Sequence, residues 1–372
     1  MKKFIKLVVL YTILVVALLY SGYQIKQAQP LQSIYPHPAD NFIEPIIPNG
    51  DPWSIKSIDT QIISKYWPNV SSESIKEQIT LLKALGVNYI AVDTPYDKRD
   101  EIYKWATEIH NQHLNVWFRS HWDNWEGDDG KPASMTSQEY LAKTKEFISS
   151  NQDLFKEGDS FTLAVEPEQA GVGLGKKFRD WEEYRQFILN EVIYANKGFK
   201  SIGLEGKVYT NWISVNGWVV QNEFNADLVH KLGLIVIDHY SKQSNTIGLL
   251  DNPGKIAADM SADLDSFYAQ WNTPILLGEW GYQIYQDTED ATQAATVQKV
   301  FSILKTKKYL VGVNYWSHMG NHSRLIDDTS GSNLTYRKAA TIIGQTYLNS
   351  STFEATTSAS TSVLDMPKPI KK

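Results

Sequence analysis

Eight short apolar or β-prone runs recur along the chain, at residues 55–63, 88–93, 115–120, 161–166, 207–212, 234–239, 274–279 and 312–316. Few show the polar alternation of a half-exposed strand, so they read as strands buried on both faces, as in a parallel sheet. Longer stretches with helical spacing lie between them. Over 72–85, Ile75, Ile79, Leu82 and Leu85 fall on one face, a serine opens the pattern and Gly86 stops it. Tyr140, Leu141, Thr144 and Phe147 do the same over 139–149, as do Val297, Val300, Phe301 and Leu304 over 290–307. Strand alternating with helix predicts βαβ units, and eight units predict a closed (β/α)8 TIM barrel over residues 52–348. An open doubly wound sheet is the alternative, disfavoured because no glycine fingerprint follows the first run.

Two of the runs end abruptly on a glutamate: Phe161-Thr162-Leu163-Ala164-Val165-Glu166 and Pro274-Ile275-Leu276-Leu277-Gly278-Glu279. A carboxylate at the end of a core strand needs a partner or a purpose, because burying a charge is costly. In a parallel barrel both would emerge at the C-terminal rim, where barrel enzymes keep their chemistry. The other runs also end in chemistry-bearing residues. Asp93 closes the second and Arg119-Ser120-His121-Trp122 the third. Asn211-Trp212 closes the fifth, Asp238-His239-Tyr240 the sixth and Tyr315-Trp316-Ser317-His318 the eighth. Polar and aromatic groups therefore gather at one end of an otherwise apolar barrel.

Composition narrows the chemistry. A net charge of −6 lacks the basic excess of a nucleic-acid partner. There is no cysteine, which excludes disulfides, thiol nucleophiles and Cys-ligated zinc. Twelve Trp and 20 Tyr supply flat faces suited to sugar rings, although large cores use them too. The chain opens Met1-Lys2-Lys3 and then runs almost wholly apolar from Leu7 to Tyr20. Residues 1–23 read as a signal peptide or an uncleaved signal anchor, so the remainder is expected to be extracytoplasmic, tethered to the membrane or secreted. Residues 24–51 read as a Pro-rich linker and 349–372 as a disordered Ser/Thr-rich tail.

Glu166-Pro167 closing a fourth strand and Gly278-Glu279-Trp280 closing a seventh resemble the clan of retaining (β/α)8-barrel glycoside hydrolases that includes cellulases and β-mannanases. Tyr240 and Trp316 match further positions of that pattern, and the four elements come in its order. The resemblance implies a hydrolase that cleaves β-linked poly- or oligosaccharide by a two-glutamate double displacement, without a cofactor. It implies Glu166 as acid/base, Glu279 as nucleophile and Tyr240 as its hydrogen-bond donor. Arg119 and His121 would keep the nucleophile ionised, and Trp316 would floor the subsite of cleavage. One position departs: Val165 stands where the pattern has Asn, which contacts the sugar 2-hydroxyl; Asn211 or Glu168 are candidate replacements.

Trp280, Trp212 and Trp122, with Asn211 and His239, are further candidate substrate contacts, and Trp125 and Trp218 candidate platforms. The expected partner is a carbohydrate, the expected state a monomer, with no metal. Two alternatives stay open. One is a carbohydrate-binding pseudoenzyme. The other is a metal-dependent barrel enzyme drawing on His121, Asp123, Glu166, His239 and His318; it lacks any HxH or HExxH spacing. Gly171–Lys177 is glycine-rich but misses the spacing and hydroxyl of a phosphate loop, so it reads as a rim loop.

Overall fold

The computed structural model describes residues 52–67, 69–122, 135–162, 164–168, 178, 180–240, 252–283, 290–328, 333–349 and 359–360. The N-terminal segment, the linker, Asp123, Trp125, the 171–177 loop and most of the tail lie outside the described residues. Among the described residues no helix is long and apolar enough to cross a membrane.

Eight parallel strands make one sheet: β1 (Ile55–Asp59), β2 (Tyr89–Val92), β3 (Asn115–Arg119), β4 (Ser160–Thr162), β5 (Ser214–Asn216), β6 (Ile235–Asp238), β7 (Ile275–Trp280) and β8 (Leu310–Tyr315). Each regular ladder joins neighbours in sequence order, and β8 returns beside β1, with Ile55 opposite Gly312. The helices follow in alternation. Those used below are α1 (Gln61–Tyr66), α2 (Ser72–Ala84), α3 (Arg99–Asn111), α4 (Ser137–Ser150), α5 (Trp181–Ser201), α6 (Gly217–Asn222), α7 (Ala226–Leu232), α8 (Pro253–Trp271) and α9 (Asp290–Leu304). This is the (β/α)8 architecture that the alternation predicts. A short antiparallel hairpin, β9 (Ile326–Asp328) with β10 (Asn333–Tyr336), follows the barrel.

The seam between β4 and β5 closes irregularly. Among the described residues a single bridge, Ser160 with Tyr209, joins them. Backbone bonds run from Phe161 N to Tyr209 O (2.8 Å), from Tyr209 N to Asp159 O (2.9 Å) and from Glu166 N to Ser214 O (2.9 Å). The fifth strand therefore falls later than the expected 207–212. Tyr209 and Trp212 stack in the same interior, centroids 5.3 Å apart, although three residues separate them. Strict strand alternation would put them on opposite faces, so the backbone departs from regular geometry there. The first strand is also shorter than expected. Asp59 Oδ1 accepts the Gln61 N–H at 2.7 Å, and helix α1 begins where 61–63 had read as strand.

Inward-facing residues stack in layers. Ile55, Tyr89, Ala91, Trp117, Trp212, Leu234, Val236 and Leu276 fill the lower interior with apolar groups. Two residues beyond Ala91, Trp117 and Val236, and four beyond Ile55, stand Asp93, Arg119, Asp238 and Asp59, all buried. Alternation thus changes the barrel filling from apolar to charged within one layer. The β7 strand breaks the pattern. Leu277 pairs with Ile237 but Glu279 pairs with Asp238, so Gly278 is the extra residue of a β-bulge. The bulge turns Glu279 inward, where uninterrupted alternation from Leu276 would send it out.

Glycine permits the closure at β1–β8. A Cβ on Gly312 would lie 2.2 Å from the Ile55 carbonyl oxygen, a backbone atom that cannot step aside. Gly312→Ala is expected to cost about 3 kcal/mol of stability, measured by urea denaturation. An unchanged midpoint would contradict this packing.

Candidate active site

Arg119 closes β3 with its side chain fully buried, and four carboxylates surround it. Its Nη2 donates to Glu279 Oε2 at 2.9 Å and to Asp238 Oδ2 at 2.5 Å. Its Nη1 faces Asp93 Oδ2 at 3.4 Å and Asp59 Oδ2 at 3.5 Å. One positive charge cannot neutralise four negative ones, so the cluster holds protons. Burial pushes Asp59 and Asp238 up to about 6 and Glu279 up to about 7, with Arg119 opposing the rise in each. Asp93 is driven well above the usual range by burial and then by the neighbouring Asp59 charge.

Glu279 is the member that reaches the opening: its side chain is 16% exposed, whereas those of Asp59, Asp93 and Asp238 are at most 3%. Its second oxygen accepts the Tyr240 hydroxyl at 2.9 Å. Tyr240 in turn lies edge-on to Trp316, centroids 6.5 Å apart. Trp316 is anchored through Nε1 to Gln61 Oε1 at 2.6 Å and precedes a cis peptide to Ser317. Gly281 lets these strands approach, since a Cβ there would sit 1.7 Å from the Trp316 carbonyl oxygen.

Glu166 stands across the seam, after β4. Its φ of 45° is left-handed, an arrangement that costs a non-glycine residue roughly 1–3 kcal/mol and tends to mark functional positions. The hydrogen bond from its N–H to Ser214 O holds that turn. Its carboxyl is raised well above the ordinary glutamate range, first by burial and then by the charges of Asp238 and Glu279. The two glutamates therefore share one site but differ in surroundings. Glu279 is gripped by a guanidinium and a phenol, whereas burial, followed by the charges of Asp238 and Glu279, acts on Glu166.

Several of the predicted contacts lie elsewhere. Trp212 is buried in the lower barrel against Trp117 and Tyr89. Trp280 is buried beneath α9, beside Phe301. Trp122 donates to Thr144 Oγ1 on α4 at 2.9 Å, with its ring against Phe147. None offers a face to a sugar; each supplies the interior with aromatic bulk. Asn211 donates to Leu232 O at the end of α7 (2.8 Å), and the His239 ring bonds Asp263 on α8 (2.8 Å). Both side chains thus serve the strand–helix interface. His121 is buried beside the cluster strand. His318 is buried between barrel and helices, bonded to Gln78 Oε1 at 2.7 Å, and burial lowers it to about 3.

Asn211 is thus not placed to replace the missing Asn. Nor does Glu168 point that way: its oxygens accept the Asn216 N–H (2.7 Å), the Asn216 amide (2.9 Å) and the Tyr184 hydroxyl (2.9 Å). Val165 itself is buried. The sequence reading missed Asp59, Asp93 and Asp238 as site members. Their signal was available, since Asp93 and Asp238 lie two residues, and Asp59 four, beyond an inward-facing core position. Among the described residues no three His, Asp or Glu side chains form a metal-ligating group. Where the four carboxylates converge, the guanidinium fills the space.

No protein-family model matches the chain, and no curated protein matches it in sequence. Solved structures do share the barrel. A broad-specificity endoglucanase from Clostridium acetobutylicum superposes with a TM-score of 0.56 at 13% identity, over 79% of this chain and 96% of its own. A family 5 xyloglucanase from Paenibacillus pabuli gives 0.54 at 15% identity, over 81% and 98%. A β-glucuronidase from an uncultured Clostridium gives 0.52 at 13%, over 80% of this chain; this chain spans about half the length of that enzyme. The likeness is one of fold, a barrel of the kind found in glycoside hydrolases, in line with the resemblance carried by Glu166-Pro167 and Gly278-Glu279-Trp280.

Removing Arg119 would leave four buried carboxyls without their cation. Arg119→Met is expected to cost about 3–5 kcal/mol at pH 8. Carboxyls with raised folded-state values favour folding below about pH 4 and lose that contribution as pH rises through 6 to 7. The loss in Arg119→Met should therefore be smaller at pH 4.5 than at pH 8. Urea titrations at both pH values test this; equal losses would contradict it.

Proposed function

We propose that this chain is a retaining glycoside hydrolase acting on β-linked poly- or oligosaccharide, with Glu279 as nucleophile and Glu166 as acid/base. The observation that carries the reading is the unequal treatment of two glutamates at one barrel mouth. Retaining hydrolysis needs two such carboxyls with their proton affinities split, one ionised to attack the anomeric carbon and one protonated to release the leaving oxygen. Arg119 and Tyr240 favour the ionised form of Glu279 by donating to both of its oxygens. Glu166 has burial and the nearby charges of Asp238, Glu279 and Glu168 to keep its proton. In the first step Glu279 attacks as Glu166 protonates the departing oxygen. In the second Glu166 takes a proton from water, which displaces the sugar from Glu279.

Trp316 lies edge-on to Tyr240, the phenol that bonds the nucleophile. Among the described residues Trp218 is the exposed tryptophan of the rim, at 51%. It follows β5 on α6, with the edge of Trp181 against it at 5.8 Å. Asn216, two residues earlier, ties that corner to Glu168 and so to the acid/base side of the cleft. A sugar on the leaving-group side would stack there. The buried Val165 favours one second reading, a barrel that binds carbohydrate without turning it over.

Four measurements bear on the proposal. A 2-fluoro activated glycoside should label Glu279 covalently; a protein that stays unlabelled, and inactive on glucan, mannan, xylan and galactan, overturns the hydrolase and leaves the binding reading. Glu166→Gln should lose about 10²–10⁴ in kcat on substrates with poor leaving groups and much less on activated aryl glycosides. Activity should fall below about pH 7, because the Glu279 carboxyl must be ionised to attack, and again at alkaline pH, where Glu166 loses its proton. A profile peaking near pH 4 would refute these roles. Trp218→Ala should raise KM for oligosaccharides by roughly tenfold while leaving aryl glycosides unaffected.

A further inference from the structure

Asp238 and Gly278 have no part in the double displacement just described, yet they occupy the floor between its two glutamates. The Asp238 side chain is 1% exposed. Its Oδ2 takes a hydrogen bond from the same Arg119 nitrogen that donates to Glu279. Its Oδ1 takes one from the Ser214 hydroxyl at 2.5 Å. The Ser214 carbonyl accepts the Glu166 N–H that sustains the left-handed turn. An unbroken path thus runs from Glu279 through Arg119, Asp238 and Ser214 to Glu166.

Gly278 supports the same device from another direction. A Cβ on Gly278 would lie 2.5 Å from Ser214 Oγ and 2.7 Å from Asp238 Oδ1. The bulge residue that turns Glu279 inward therefore also leaves the space in which Ser214 and Asp238 meet. A side chain there would push the pair apart.

We propose that Asp238 is a positioning residue that couples the two glutamates, holding Arg119 against the nucleophile and, through Ser214, fixing the strand end that presents the acid/base. This rests on the reading of Glu166 and Glu279 as the catalytic pair. The coupling has an electrostatic sense. The Asp238 charge disfavours ionisation of both glutamates. The other ionisable groups facing it are Arg119 on β3, Asp59 on β1, Glu168 after β4 and Tyr240 after β6, with Asp93 after β2 on the far side of Arg119. All of these stay in place when Asp238 alone is neutralised. Glu279 then ionises more easily, which lowers the acid limb of the profile. Glu166 loses its proton more easily, which lowers the basic limb.

Asp238→Asn keeps the shape: its carbonyl accepts from Arg119 and its amide donates to the Ser214 oxygen. In the full chain, the kcat/KM profile of this variant on an aryl glycoside should shift on both limbs to lower pH, by about one unit. Its kcat should fall about tenfold with KM within about twofold. Ser214→Ala keeps the charge but cuts the link to β5. It should lower kcat by up to about 10²-fold, with limbs displaced less than in Asp238→Asn. Carboxyl ¹³C titration of glutamate-labelled protein, assigned with Glu279→Gln and Glu166→Gln, follows both groups without requiring turnover. Lower titration of both in Asp238→Asn supports the coupling. Unmoved limbs and unmoved resonances overturn it, as does an Asp238→Asn loss of rate at every pH without displacement. Should Asp238→Asn fail to fold, wild-type kcat in Ser214→Ala overturns it. If the wild type hydrolyses nothing, the catalytic reading fails, and the titration still decides whether the two carboxyls are coupled through Asp238.

Discussion

One guanidinium organises the upper barrel. Arg119 has no exposure and faces carboxylates contributed by β1, β6 and β7 and by the end of β2. A buried cation that lost these partners would be untenable, and the carboxylates without it would be equally so. The strands around that layer are therefore held in mutual register by charge as well as by their backbone ladders. The arrangement is not chiefly a source of stability, since an apolar layer of equal volume would do as well or better. What it provides is a fixed, dry electrostatic environment at the floor of a cleft, where a developing charge is felt strongly.

The same layer explains why two identical side chains behave differently. Glu279 enters on a bulge, meets Arg119 and Tyr240, and has both oxygens occupied by donors. Glu166 enters on a left-handed turn across an irregular seam, and the charges it meets are mostly of its own sign. Backbone irregularity, rather than residue type, sets the contrast. Two departures from regular backbone geometry, the bulge at Gly278 and the turn at Glu166, coincide with groups of the candidate site, as expected where local structure is bent to a chemical purpose.

Much of this was legible in the linear pattern. Apolar runs such as 274–279 and helical spacing such as Ile75, Ile79 and Leu82 carried the alternation, and the alternation carried the barrel. Glu166, Glu279, Tyr240, Arg119 and Trp316 could be picked from strand ends because a charged or aromatic residue terminating a buried strand is conspicuous. The tryptophans could not be sorted in this way. Trp212 and Trp218 differ little in sequence context, yet one is sealed in the barrel and the other half-exposed on α6. Composition says that a ring must be buried or used, and only packing says which. Period-two counting from Val236 and Ala91 would have reached Asp238 and Asp93. It would have misled at Glu279, because a one-residue bulge leaves no mark on hydrophobic pattern beyond a glycine. The fifth strand was misplaced for the same reason, since Tyr209 and Trp212 share a face at an odd spacing.

The seam between β4 and β5 has a further consequence. β7 and β8 are ordered over six residues each, whereas the described residues of β4 and of the segment facing it meet through one bridge and a few isolated bonds. In a closed barrel the least stitched junction is where sub-global opening begins, and amide exchange is fastest in such places. Glu279 then belongs to the stiffer side of the barrel and Glu166 to the more loosely stitched one. Any substrate or neighbour that bridges the seam would act as a staple, ordering Glu166 while leaving Glu279 as it was.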